Sequence, residues 1–217
     1  MGAKTWMLVY SNGNAAEILK SKPKLDRQKS ADFAQQLFPT ARFEAMDDGN
    51  LAYNCCPRGK DIYVGCFPEL SIVAAKEFGI DYPSKLPASF LNPNYGETVY
   101  LHAMHSVVDW FAYAIWEKGK LIRSLSLSPD SGVIEDIGKQ REFENPYWSG
   151  DHPVFESDKE DQSYPFIFHP LDLGDAALQD MFGYQLEGYD DSSHIDPEEI
   201  PLLGFKRKGS GLWWKFW

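Results

Sequence analysis

Residues Trp110–Ser128 read WFAYAIWEKGKLIRSLSLS, and the interpretation of this stretch decides the fold. Two runs rich in apolar residues, Trp110–Trp116 and Leu121–Ser128, flank Glu117-Lys118-Gly119-Lys120, which is a β-hairpin signal. With Lys118-Gly119 as a two-residue loop, Trp116 faces Leu121, Ala114 faces Arg123, Ala112 faces Leu125 and Trp110 faces Leu127. The opposite face then carries Asp109, Phe111, Tyr113 and Ile115 against Ser128, Ser126, Ser124 and Ile122. The first strand is apolar on both faces, so it is expected at the centre of a sheet covered on two sides.

Outward from the hairpin, Lys4–Ser11 predicts a strand ended by the turn signal Asn12-Gly13. Asn14 with Glu17 starts a short helix, and Asp26 caps a second one whose Phe33, Ala34, Leu37 and Phe38 share a stripe. Ile62–Phe67 and Leu70–Lys76 are further strand candidates. A helix is expected from Asp172, as its cap, through Leu186, with Gly183 inside it and Gly188 as a stop. These elements predict a single α+β domain over residues 1–205. Its mainly antiparallel sheet is centred on the hairpin at about 109–128, with helices near 26–38 and 173–187 packed against it. Residues 206–217 form a basic, aromatic C-terminal tail with Gly209-Ser210-Gly211 as its flexible part.

Charge is unevenly spread. The net charge is −11, yet residues 130–199 hold 19 carboxylates against only Lys139, Arg141 and Lys159. Pro201–Trp217 has four basic side chains and no acidic one. This balance argues against nucleic acid as a partner, because phosphate binding needs a positive face. Three cysteines, two of them adjacent (Cys55 and Cys56), give no disulfide framework and no zinc spacing, which points to a reducing compartment. The start of the chain has no secretory h-region, and no apolar run approaches a membrane span, so a cytoplasmic location is expected.

Several polar groupings are candidate sites. His102, His105 and Asp109 give H-x-x-H-x-x-x-D, a metal-like face on a helix that dissolves on a strand; Val99, Tyr100, Val107, Val108, Trp110 and Phe111 around it favour a strand. Asp109, Ser128, Asp130 and Ser131 are expected to converge at the open end of the hairpin, where a carboxylate opposite a hydroxyl is half of a nucleophilic arrangement that His105 would complete. No G-x-S-x-G elbow accompanies them, and Ser128-Pro129-Asp130-Ser131-Gly132 also reads as a plain turn. Arg123 is a candidate anion-binding residue, or else the partner of an internal carboxylate such as Glu135 or Asp136. Ser11-Asn12-Gly13-Asn14 is neither a P-loop nor a dinucleotide fingerprint, so no cofactor is expected, and no metal. His152 and His169 lie in loops beside prolines. In the tail, Trp213, Trp214, Phe216 and Trp217 fit three roles: packing on their own domain, anchoring to a protein partner, or resting peripherally in a membrane interface.

The stretches GAKTWMLVYS, YVGCFPEL and TVYLHAMHSVVDWFAYAIWEKGKLIRSLSLSPDSGVIEDIG, with HPLDLGDAALQDMFGYQLEG and IDPEEIPLLGF, are also familiar together. In them the chain resembles an uncharacterised family of bacterial, largely actinobacterial, proteins with a domain of unknown function. The resemblance covers roughly residues 2–205 and leaves the tail outside. It implies a bacterial, cytoplasmic, single-domain protein and supplies no catalytic residue. The leading expectation is therefore a non-enzymatic binding protein that uses its acidic surface and aromatic tail. The alternative is a small hydrolase or metal-dependent enzyme centred on His102, His105, Asp109 and Ser128.

Overall fold

The hairpin forms, and around it a computed structural model describes residues 3–154, 165–186 and 195–208. The strands are β1 (Lys4–Ser11), β2 (Arg42–Ala45), β3 (Gly49–Asn50), β4 (Asp61–Phe67), β5 (Leu70–Ala75) and β6 (Thr98–His105). They continue with β7 (Trp110–Glu117), β8 (Lys120–Ser128), β9 (Gly132–Gly138) and β10 (Pro201–Lys208). Five α-helices accompany them among the described residues: α1 (Ala15–Lys20), α2 (Arg27–Leu37), α3 (Leu51–Asn54), α4 (Asn145–Ser149) and α5 (Pro170–Phe182). The strands form one antiparallel sheet in the order β2-β10-β4-β5-β1-β6-β7-β8-β9, with β3 also pairing to β10. The architecture is α+β.

β7 lies inside the sheet, and every residue from Trp110 to Trp116 is buried. Its first face, Phe111, Tyr113 and Ile115, joins Leu125 and Leu127 beneath Leu178 and Phe182 of α5. Its second face, Trp110, Ala112, Ala114 and Trp116, packs with Leu8, Tyr10 and Leu101 against Phe33 and Leu37 of α2 and the rings of Phe78 and Phe90. Two covered faces explain why this strand shows no apolar–polar alternation.

The hairpin register departs from the expected one. Lys118 and Gly119 both have positive φ, +48° and +77°, so the two-residue loop is present, and Trp116 pairs with Leu121. Beyond it a β-bulge leaves Ile122 without a partner, and Arg123 pairs with Ile115 rather than Ala114. From there on every β8 side chain changes face. Arg123, Leu125 and Leu127 join Phe111, Tyr113 and Ile115, whereas the serines 124, 126 and 128 turn to the second face. Gly138 at the end of β9 accommodates the bulge: its φ is +85°, and a Cβ there would lie 2.1 Å from the Ile122 carbonyl oxygen.

The cap residues are partly as the sequence implies. Asn14 Oδ1 accepts from the Glu17 N–H and Asp26 Oδ1 from the Lys29 N–H, starting α1 and α2. Helix α5, however, starts at His169, whose Nδ1 accepts from the Leu171 N–H, with Pro170 in the first turn. It stops at Gly183 in the left-handed conformation, φ +78°, so Gly183 is the C-terminal cap and not an interior residue. Gly183→Ala is expected to cost about 1 kcal/mol through the unfavourable φ. That corresponds to a fall of about 2–4 °C in the thermal midpoint, read by calorimetry. Strand β10 extends through Lys208, so Lys206–Lys208 belong to the sheet and not to the tail. The aromatic residues Trp213, Trp214, Phe216 and Trp217 lie outside the described residues.

Candidate functional site

Strands β1, β6, β7, β8 and β9 share one end of the sheet. Lys4 pairs with His105, His105 with Trp110, and Ser128 with Gly132, so the start of β1 meets the end of β6 and the turn into β9. On the second face at this end is an open groove of about 360 Å³. Its floor and walls include Trp6, His105, Val108, Trp110 and Ile134, with Asp81, Asp130 and the serines 128 and 131 at the polar positions.

Alternation along each strand puts these side chains together. Trp6 lies on the face of β1 that also carries Leu8 and Tyr10, and His105 on the face of β6 that carries Leu101 and Ala103. The two rings stack with centroids 6.3 Å apart and planes 19° from parallel. The backbone at Gly79 presses on the indole so closely that a Cβ there would lie 2.7 Å from Trp6 Nε1. Trp110 is only 8% exposed, and its Nε1 donates to Ser126 Oγ at 3.3 Å. Val108, by contrast, is 49% exposed at the rim. The bulge in β8 supplies the hydroxyl side: without that change of face, Ser128 would point away from His105.

Burial, and next the Lys4 ammonium, hold the His105 imidazole below its usual range. Its Nδ1 accepts from the Val107 N–H at 3.3 Å, leaving the proton on Nε2. Ser128 Oγ accepts from the Ser131 N–H at 3.2 Å. No hydrogen bond joins His105 to Ser128 among the described residues, so the groove holds a neutral imidazole and a hydroxyl but no engaged base–nucleophile pair. Asp81 and Asp130 are the charged residues that line it, and the Lys4 ammonium lies close enough to act on His105.

The four residues of the expected catalytic cluster do not meet. His105 and Ser128 share the groove, but His102, three residues earlier on the same strand, points to the opposite face. There it is fully buried, with Nδ1 2.6 Å from Thr5 Oγ1 and Nε2 3.0 Å from the Gly174 carbonyl oxygen. A carbonyl only accepts, so Nε2 carries the proton and Nδ1 accepts from the threonine hydroxyl. Asp109, at φ +45°, directs its carboxylate to His169 Nε2 at 3.7 Å. The strand thus separates the two histidines, as period-two geometry requires. No group of three or more histidine, cysteine or carboxylate side chains with metal-binding geometry exists among the described residues. His152 stacks on Tyr147, with ring centroids 4.5 Å apart.

Arg123 is not an open anion site. The register change carries it under the 142–149 segment, where its side chain is fully buried. Nε donates to Glu144 Oε1 at 2.9 Å and Nη2 to Glu144 Oε2 at 2.6 Å, a bidentate pair; Nη1 donates to Asp136 and to the Ile137 carbonyl. Glu144, absent from the sequence-based candidates, also accepts from the Tyr113 hydroxyl at 2.6 Å and the Arg141 N–H at 2.7 Å. Glu135, an expected partner, lies on the other face instead, accepting from the hydroxyls of Ser84 and Ser124 and from the Ser84 N–H at 3.0 Å.

Sequence reasoning placed His105, Ser128, Asp130 and Ser131 near one another but missed Trp6, Asp81 and Ile134. Trp6 carried a usable signal, a large ring at an alternating position of β1. Asp81 comes from a distant loop and carried none. In the passage after β1, Asn12 Oδ1 accepts from the Glu97 N–H while Asn14 caps α1, so both are used locally. No described helix is long and apolar enough to cross a membrane. A family model described as a family of unknown function (DUF6928) matches residues 5–205. No curated protein and no solved structure matches the chain.

Proposed function

Because the chain belongs to DUF6928, a family of unknown function, we propose from its geometry that it is a non-enzymatic binding protein of the bacterial cytoplasm. Its groove at the β6–β7 end takes a cationic side chain of a protein partner. The observation that carries this reading is the composition of the groove: two indoles and an imidazole beside two carboxylates, with no engaged nucleophile. A guanidinium or ammonium laid against an indole gains about 0.5–2 kcal/mol, more as water is excluded. Asp81 and Asp130 add charge complementarity that also steers encounter.

Cys55, Cys56 and Cys66 are free thiols, in keeping with a reducing compartment. Burial pushes the Cys55 thiol up to about 12, so it is inert at neutral pH.

N-acetylargininamide is the probe. It is expected to bind saturably at millimolar concentration, shifting the Trp6 indole N–H resonance and those of Val108 and Ile134, whereas neutral N-acetylcitrullinamide does not. Asp81→Asn with Asp130→Asn should weaken binding roughly tenfold, the equivalent of about 1.4 kcal/mol. Equal binding of the citrulline compound, or shifts confined to other parts of the sheet, would remove the basis for the cation reading.

A further inference from the structure

The imidazole of His105 shares the groove with the indole that would take the cation. Lys4 and Trp6 alternate with inward residues along β1, and Lys4 pairs with His105, so Lys4, Trp6 and His105 fall on one face at one end of the sheet. The Trp6 and His105 rings stack 6.3 Å apart, and both line the groove. A cation laid on the indole therefore has the imidazole as its neighbour. His105 is half-buried, so solvent can deliver a proton to it.

We infer that His105 gates the groove: the neutral imidazole admits a cation beside Trp6, and the protonated one repels it. The inference rests on the reading of the groove as a cation site and supplies its regulation.

Charge is the first part of the gate. Lys4 reaches the imidazole from β1, Asp81 enters the groove from the segment after β5, and Asp130 enters from the turn between β8 and β9. Asp109, on the turn that follows His105, is directed at His169 instead, and the neighbour on β7 is the uncharged Trp110. Lys4, Asp81 and Asp130 together leave one net negative charge, and an imidazolium cancels it. A protonated ring stacked on Trp6 also takes up the attraction of the indole for positive charge.

The place of the proton is the second part. Nδ1 accepts from the Val107 N–H, so a second proton must enter where that N–H already points, and two donors then face each other. That contact opens, while the Val108 N–H still donates to the His105 carbonyl at 3.2 Å and keeps the turn closed. Gating is thus local to the rim that carries Val107 and Val108. Burial and Lys4 already hold the imidazole below its usual range, so the groove is open at neutral pH and closes in mild acid. Protonation and cation binding oppose each other reciprocally.

The test titrates N-acetylargininamide into the full chain and into His105→Asn on both sides of the His105 titration midpoint, read from the imidazole resonances of the parent. Asparagine keeps an acceptor for the N–H two residues on and cannot be protonated. Affinity of the parent should fall roughly tenfold as the imidazole takes its proton, whereas that of His105→Asn should change less than about twofold over the same range. By reciprocity, saturating probe should move the parent midpoint about one pH unit lower. Equal losses in both proteins assign the pH dependence to Asp81 and Asp130 and overturn the gate. A parent affinity that ignores the imidazole titration, or a midpoint that saturating probe leaves in place, overturns it as well; each of these leaves the cation site standing. Where His105→Asn binds no probe, the midpoint in the parent decides. Absence of probe binding to the parent at every pH overturns both the gate and the cation reading.

Discussion

Arg123→Ala is expected to lower the free energy of unfolding by about 3–5 kcal/mol, measured by urea denaturation at neutral pH. The loss is that large because of what stays behind. Glu144 has no exposed side-chain surface, and its two oxygens receive the bidentate guanidinium. Remove the arginine, and a carboxylate remains buried with a phenol, one backbone N–H and a weak 3.4 Å contact from Trp148 Nε1. Those neutral donors do not offset the desolvation of a full charge.

Burial alone would lower the Arg123 pKa, but the hydrogen bonds to Glu144 and Asp136 outweigh it and hold the guanidinium above its usual value. Burial, then Glu144, likewise push the Tyr113 phenol well above its ordinary range. Neither group titrates near neutrality, so in the parent protein Arg123 and Tyr113 add no pH dependence to stability between pH 6 and pH 9. The double change Arg123→Met with Glu144→Gln should recover roughly half of the Arg123→Ala loss, since the only charge left without its partner, Asp136, is part-exposed, and the amide still accepts from Tyr113 and Arg141. If the double variant proves as unstable as Arg123→Ala, packing around the guanidinium, not its charge, governs this part of the core. Hydrogen exchange should show the loss first in residues 142–149, which Glu144 fastens to the sheet.

The Arg123 network also shows where sequence reasoning stopped. The hairpin loop, the centrality of β7 and the span of β1 were legible because turn chemistry and two-sided apolar runs are local signals. The register beyond Trp116 was not, since a single unpaired residue, Ile122, decides which face every later side chain of β8 takes. Bulges leave no compositional mark beyond a compensating glycine, here Gly138, which lies sixteen positions away. That one residue moved Arg123 from the second face to the first, gave it Glu144 as a partner, and turned Ser128 toward His105. The same event dissolved one expected site and built half of another. The cap of α5 was misread for a different reason: Asp172 looked like a cap by residue type, but His169-Pro170 takes that role through a ring nitrogen. The separation of His102 from His105, in contrast, followed directly from strand periodicity.

His102 gives the second large effect, and it appears as a dependence on pH. Burial, set against the hydrogen bond to Gly174, holds its pKa down to about 4, whereas an unfolded histidine titrates near 6.5. The group is thus depressed in the folded chain. Above about pH 6.5 both states are neutral there and the full stability is present. As pH falls from 6.5 toward 4 the unfolded chain takes up a proton that the folded chain refuses, and stability declines. The difference amounts to about 3 kcal/mol across that window, at 1.36 kcal/mol per unit. Protonation would keep the Nε2–H bond to the Gly174 carbonyl and reverse the Nδ1 contact, the Thr5 hydroxyl then accepting, so the cost is that of burying a charge. His102→Gln can keep a donor toward the Gly174 carbonyl and an acceptor toward Thr5, and it cannot be protonated in this range. It should therefore cost about 1–2 kcal/mol at pH 7.5 and flatten the decline between pH 6.5 and pH 4 relative to the parent. An equally steep decline in the glutamine variant would assign the acid sensitivity to carboxylates instead, and would show that the imidazole titrates alike in the folded and unfolded chains.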